Sequence, residues 1–347
     1  MPTRRQAIDE FRASGGSVKI ADVARLAGVS QTTVSRVLNE QRTLVSRATY
    51  RRVERVIEEL DYQPTALGRA LRQGQSNLVA LFLPDTQNPF YSAIADSIEV
   101  CLQQDGLNLV LCNTREDASV QDAALRHLLS FRVRCFVMLG AVDSPGLRDA
   151  AEHKTPLLFI NRFPPTGVVA PFIGIDNYAA GADIARYLVA RDATDVGVVS
   201  GPSISSASRS RYEGFRDTMA ALGHPIMPEN TWQSELSIKA GYDLGSAIVG
   251  RADLPRAIFC ANDLISYGLH KRATENGIRV PEDLLIVGFD DNPLNRWLAP
   301  WLVSVQVPYE EFGPIVRSII ADVSRPVADQ IILPHLIVER HNVTAAD

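Results

Sequence analysis

From residue 77 to about 340 the chain alternates short β-rich runs with amphipathic helical stretches, and this alternation restricts its fold more than any other feature. LVALFLP precedes a helix near 90–104, LNLVLC precedes one near 118–130, and RCFVMLG and PLLFIN follow. The pattern resumes with a helix near 178–190, DVGVVS, a helix at 207–222, RAIFCA, a helix at 262–276, and LLIVGF. Alternation of this kind means parallel sheets covered by helices on both faces. About ten strands over about 270 residues suit two α/β lobes better than one sheet. Ligands in such folds sit at the carboxyl ends of strands, and a cleft between facing lobes collects those ends.

The N-terminal part is different. Residues 1–17 read as a flexible leader, and 18–63 as three short helices. KIADVARLAGVS puts Ile20, Val23, Ala24 and Ala27 on one face and stops at Gly28. Ser30 can cap a second helix, QTTVSRVL, with Val34 and Leu38 inward. Ser46 can cap a third, with Val53, Val56, Ile57 and Leu60 inward. A tight glycine turn between the first two helices describes a helix-turn-helix unit. Its second helix would enter the major groove with Ser30, Gln31, Thr32 and Thr33 leading and Ser35 and Arg36 one turn later. Gln suits adenine edges, Arg suits guanine, and Ser or Thr reach phosphates. A cap plus a solvated face would use the same residues. Residues 64–76 then read as a linker with a two-turn helix opened by Pro64, too short to be stable alone.

Charge follows this division. The net −5 of the 347 residues splits into 13 Lys/Arg against 8 Asp/Glu over 1–73, and 22 against 32 beyond. A basic head on an acidic body fits phosphate contact by the head. Hydrophobic residues make up 46%, enough for ordinary cores. No run of about 18 apolar residues predicts a membrane span, and the polar start MPTRRQAIDEFRASGG lacks a signal core. A cytoplasmic, nucleoid-associated protein without membrane contact is expected. Cysteines 101, 112, 135 and 260 form no CxxC, and no HxxxH or HExxH occurs, so neither a metal nor any cofactor is expected.

The run KIADVARLAGVSQTTVSRVLN, continuing to YQP, resembles the head of the lactose/galactose repressor family of bacterial transcriptional regulators. The resemblance implies base reading by Gln31, Thr32 and Arg36, and backbone contacts by Ser30, Thr33, Ser35 and Asn39. Lys19 replaces the family's usual capping Thr, so the first helix is expected to begin less firmly. The loop 40–45 is about one residue longer than in many members. PTALGRALRQGQS is similar to the family's hinge helix, in which Leu71 would wedge between base steps of the minor groove. Gly68 stands where alanine is usual, which weakens that helix.

The body, 77–347, resembles the family's periplasmic-binding-protein-like core in DTQNPFYSAIADSIE, FINR, IDNYAAG, SGPSISSASRSRYEGF, CANDLISYGL and VPEDLLIVGFDD. The resemblance implies an effector site of Phe90, Tyr91, Asn161, Arg162, Arg211, Asn262 and Asp290, with Asp263 behind it. Leu236 occupies a place often aromatic, and Trp232 and Trp297 are the candidates to replace it. The two arginines admit a sugar acid as well as a neutral sugar. Lobe one is expected at 77–175 and 305–325, and lobe two at 176–304 and 326–347. A homodimer on palindromic, double-stranded operator DNA, under allosteric control by the effector, is the expected working form, and repression the expected sign. The end, HNVTAAD, has no heptads, so no tetramerisation helix is expected. A periplasmic sugar-binding protein would share the body but not the head. An α/β enzyme would need chemistry that no GxGxxG after the first strand, GxxxxGK[ST] or GxSxG supplies here.

Overall fold

The computed structural model describes residues 18–62, 75–153, 155–322 and 330–340. The chain forms two compact units, 1–76 and 77–347. Residues 1–17 and the hinge candidates Gly68 and Leu71 lie outside the described residues.

Among the described residues, the first unit has three α-helices: α1 (Ile20–Ala27), α2 (Gln31–Leu38) and α3 (Arg47–Glu59). Helix α1 opens with Asp22 Oδ2 accepting from the Lys19 amide at 3.0 Å, so a carboxylate of the first turn satisfies the amide of the cap residue. It ends at Gly28 in the left-handed region, φ 62°, with the Val29 amide donating back to Ala24 at 3.0 Å. Ser30 Oγ accepts from Thr33 N at 3.2 Å and caps α2; Ser46 does the same for α3. Val23, Ala24, Ala27, Val34, Val37, Val53, Val56, Leu60 and Tyr62 make the core. Val37 rather than Leu38 is the second fully inward residue of α2, and Ile20 and Ile57 are only half-buried.

The second unit holds two six-stranded sheets. Sheet one runs β11-β5-β4-β3-β1-β2, from β1 (Leu78–Leu83), β2 (Asn108–Asn113), β3 (Cys135–Met138), β4 (Leu157–Ile160), β5 (Phe172–Ile175) and β11 (Gln330–Leu333). Sheet two runs β12-β10-β9-β8-β6-β7, from β6 (Val196–Ser200), β7 (Thr231–Gln233), β8 (Ala257–Cys260), β9 (Leu285–Asp290), β10 (Val303–Gln306) and β12 (Leu336–Val338). All neighbours are parallel except β10 and β12. The helices are α4 (Pro89–Gln103), α5 (Ala118–Ser130), α6 (Pro145–Glu152), α7 (Asn177–Val189), α8 (Ser206–Ala221), α9 (Ile238–Val249), α10 (Asp263–Glu275), α11 (Asn295–Leu298) and α12 (Tyr309–Ala321).

The lobe boundaries differ from expectation. The sequence places the last crossing near 325, but β11 pairs with β5 in sheet one, so the chain returns to sheet two at 334–335. Likewise all of 303–306 belongs to sheet two, beside β9. QIIL is a short apolar run whose edge position gives no alternation to read.

One close approach fixes the site's scaffold. A Cβ on Gly181 of α7 would fall 2.0 Å from the Arg211 carbonyl oxygen on α8, and one on Gly214 would fall 2.0 Å from that of Tyr178. The two helix backbones touch through reciprocal glycines. Gly181→Ala should therefore cost more than the ~1–3 kcal/mol of ordinary overpacking, read as a lower urea midpoint. An unchanged midpoint would mean that the helices separate freely.

Candidate functional sites: a reading helix and an interlobe pocket

In the first unit, the polar face of α2 is open. Gln31, Thr32, Arg36 and Asn39 are exposed, Thr33 and Ser35 are half-buried, and Val34 and Val37 are buried opposite. Thr32, Arg36 and Asn39 follow at spacings of four and three, which places them on one side of a helix. Ser30 is exposed but already used as a cap, with its hydroxyl 3.0 Å from Thr33 Oγ1.

In the second unit, a narrow cavity of about 20 Å³ lies between the lobes and adjoins one of about 760 Å³ that shares Asn88, Tyr91 and Leu236; only the larger reaches the ~300–1,000 Å³ typical of small-molecule sites. Lobe one contributes Asn88, Phe90 and Tyr91 from the start of α4, and Asn161 from the end of β4. Lobe two contributes Ser205, Ser208 and Arg211 from α8 and its cap, Leu236 after β7, Asn262 capping α10, and Asp290 ending β9. Six of the seven residues expected for an effector thus line one cavity. Arg162 does not: it is buried beside Tyr91 and ion-paired to Glu116, with Nε and Nη1 lacking partners. Trp297 is 73% exposed, and Trp232 packs partly buried among lobe-two residues; neither lines the cavity, so Leu236 is not replaced by an aromatic.

Arg211 is held on every side. Nε and Nη2 donate to Asn177 Oδ1 at 3.1 and 2.8 Å, Nη1 donates to the Ala261 carbonyl at 2.6 Å, and the guanidinium lies 3.5 Å from the Phe289 ring centre. Burial pushes its pKa down to about 10, with Asp290 opposing. Asp290 Oδ1 is 3.8 Å from Nη1. Burial raises the Asp290 carboxyl well above the usual range, with Arg211 pulling it back. Its φ of 101° lies where non-glycine residues are rare, and Tyr309 Oη donates to its carbonyl at 2.7 Å. Asn262 Oδ1 caps α10 through Ile265 N at 3.0 Å, while its buried Nδ2 has no partner. A bridge spans the lobes nearby: Phe163 N donates to Ser206 Oγ at 3.1 Å.

Asp263 stands behind the cavity. It accepts from Ser304 Oγ at 2.6 Å and from Asn292 N and Asn295 Nδ2, both at 2.7 Å. Burial pushes its pKa from 3.8 to about 7. Between those values the unfolded chain has released the proton that the folded core keeps, so stability falls as pH rises from about 4 to 7 and is level above. The ceiling on that loss is about 4 kcal/mol at 1.36 kcal/mol per unit. Asp263→Asn should remove this slope from the difference between urea midpoints at pH 5 and pH 8. Identical slopes in both chains would mean the carboxyl is ionised throughout.

Sequence reasoning missed Asn88, Ser205 and Ser208 as lining residues and Asn177 as the holder of Arg211. Two of the four, Asn88 and Ser205, cap helices, a use that needs no ligand and hides their place in the lining.

Residues 19–65 match the bacterial regulatory proteins of the lacI family, and 185–341 match the periplasmic binding protein-like domain. The ribose operon repressor of Escherichia coli K12 is 31% identical over 320 residues, covering 89% of this chain and 94% of that protein. This chain belongs to the lacI family of bacterial regulators. Another relative, the transcriptional repressor PurR of Pasteurella multocida, is 29% identical and covers 85% of this chain and 88% of its own. Among solved structures, the lac repressor dimer bound to operator and an anti-inducer matches with TM-score 0.80 and 25% identity, covering 94% of this chain and 98% of that one. The family's domain order, a helix-turn-helix head before a two-lobed parallel core, is the order observed here. The chain is a DNA-binding transcriptional regulator. Among the described residues, no helix is long and apolar enough to cross a membrane.

Proposed function

We propose that this regulator represses transcription in the cytoplasm by binding a palindromic operator as a homodimer, without catalysis, and that a neutral, polyhydroxylated ring in the interlobe cavity controls it. The exposed polar face of α2, with Gln31, Thr32 and Arg36 over a core of Val34 and Val37, is the observation that carries the DNA half. Ser30, Thr33, Ser35 and Asn39 supply backbone contacts in this reading. Leu71 is the wedge, on residues outside those described.

For the effector, the unpartnered Asn262 Nδ2 beside the Asp290 carboxylate offers a donor and an acceptor to hydroxyls. A sugar acid is disfavoured. Arg162 is neutralised by Glu116 and Arg211 by Asp290. The mouth of the cavity adds Asp85 and Glu235 against Arg115, a single excess negative charge that disfavours anions. Selection of bound duplexes from a random pool, repeated with neutral sugars, sugar acids and purines and followed by calorimetry, tests both halves. Palindromes released or retained by a neutral sugar are expected. Failure to enrich any palindrome, or binding of a purine alone, would overturn the corresponding half.

A further inference from the structure

Arg162 is 2% exposed and lines neither interlobe cavity. Its Nη2 donates to Glu116 Oε1. The Glu116 side chain is 28% exposed and lines the larger cavity. Tyr91, on the same lining, also bears on the Arg162 charge. Glu116 therefore links the surface of that cavity to a buried cation. The Nε and Nη1 of that cation are buried and have no partner. A guanidinium is a planar fork of N–H donors that fits a carboxylate through two of them at once. Glu116 uses only one prong of the fork, and buried donors left unmade are costly.

The backbone holds Glu116 in this place. Arg115 and Glu116 both have left-handed φ, 54° and 58°, uncommon for residues with side chains. On one side, the Arg115 amide donates to the Pro84 carbonyl at 3.1 Å, and Thr114 Oγ1 donates to that of Leu83 at 3.3 Å. On the other, Asp117 caps α5, accepting from Ser119 N at 2.7 Å and Val120 N at 3.2 Å. Glu116 is thus gripped between a strand end and a helix start.

We infer that Glu116 is a built-in occupant of an anion seat at Arg162, and that it makes the larger cavity select uncharged ligands over acids. This rests on the reading of the effector as a neutral, polyhydroxylated ring, and it names the residue that enforces that choice. A ligand carboxylate reaching Arg162 has to displace Glu116, whereas a hydroxyl elsewhere in the cavity does not. With Glu116 shortened, the seat opens to a carboxylate entering from the cavity.

Glu116→Ala should lower the urea midpoint of the full chain, because a buried cation loses its counter-charge. Acetate should raise that midpoint saturably, relative to chloride at equal ionic strength, and should not do so in the unmodified chain. Calorimetry against neutral sugars and their uronic acids should show the acid-to-neutral affinity ratio rising about 10- to 150-fold, the worth of a hydrogen bond to a charged group. Asp85→Asn removes an equal charge from the lining but uncovers no cation, so it should move the ratio at most about fivefold. Glu116→Gln keeps an oxygen for Arg162 to bond, which preserves the fold if Glu116→Ala loses it, and its ratio should still exceed that of Asp85→Asn. A folded Glu116→Ala chain indifferent to acetate would overturn the proposal, and so would a ratio in the Glu116 variants no greater than that of Asp85→Asn. If the unmodified chain binds no neutral sugar, the effector reading fails, while the response of the Glu116 variants to acetate still decides the seat.

Discussion

Arg211→Leu should abolish the response to effector and lower the stability of the second unit by about 3–5 kcal/mol near neutral pH, the cost of breaking a buried ion pair on one side. The guanidinium that is lost bonds Asn177 and the Ala261 carbonyl and faces Asp290. Asp290 then has no cation beside it in a buried position, and its carboxyl, already raised by burial, takes up a proton more readily. The destabilisation should therefore shrink as pH falls. Adding Asp290→Asn should restore much of the stability and none of the ligand binding. Urea unfolding at two pH values, with calorimetry against sugars, separates these outcomes. Retained sugar binding by Arg211→Leu would remove the cavity from the mechanism.

The second large effect is expected at Arg36. Its side chain is exposed and unpaired among the described residues, so Arg36→Ala should leave the melting curve of the head within about 0.5 kcal/mol. A bidentate contact to guanine discriminates by about 1–3 kcal/mol, so affinity for the selected operator should fall roughly 5- to 150-fold and preference at one base pair should relax. Gln31→Ala should relax a different position. Gel shifts on single-base operator variants read both. If both variants keep the wild-type preference, α2 is not the reading helix.

Most of the architecture was legible because it depends on periodicity. Five helices expected near 90–104, 118–130, 178–190, 207–222 and 262–276 stand within a residue or two of those bounds. The elements that escaped were those whose identity is set by neighbours. β11 and β12 are edge strands of four and three residues, and only their partners β5 and β10 assign them to a sheet. At the site, the family resemblance pointed to Asn161, Asn262 and Asp290, and the structure places all three in the cavity lining. The state of each polar group was not legible. That Arg162 pairs with Glu116, 46 residues away in sequence, and so does not line the cavity, is a tertiary fact. Asn177 gave only a helix-start signal, although its carbonyl oxygen fixes the fork of Arg211. The tryptophan substitutes failed because their chemistry was right and their positions were not.

The way the chain passes between the two sheets has a mechanical consequence. It crosses after β5, after β10 and between β11 and β12; β11 lies beside β5 in one sheet and β12 beside β10 in the other. Around the last crossing, His335 Nε2 meets Asp183 at 3.0 Å and Arg340 meets Asp291 at 2.5 Å. Three adjacent tethers, one of them pinned, act as the spine of a book. Sideways sliding would stretch them, whereas opening and shutting only bends them, so whatever lodges between the pages has one soft coordinate to push against.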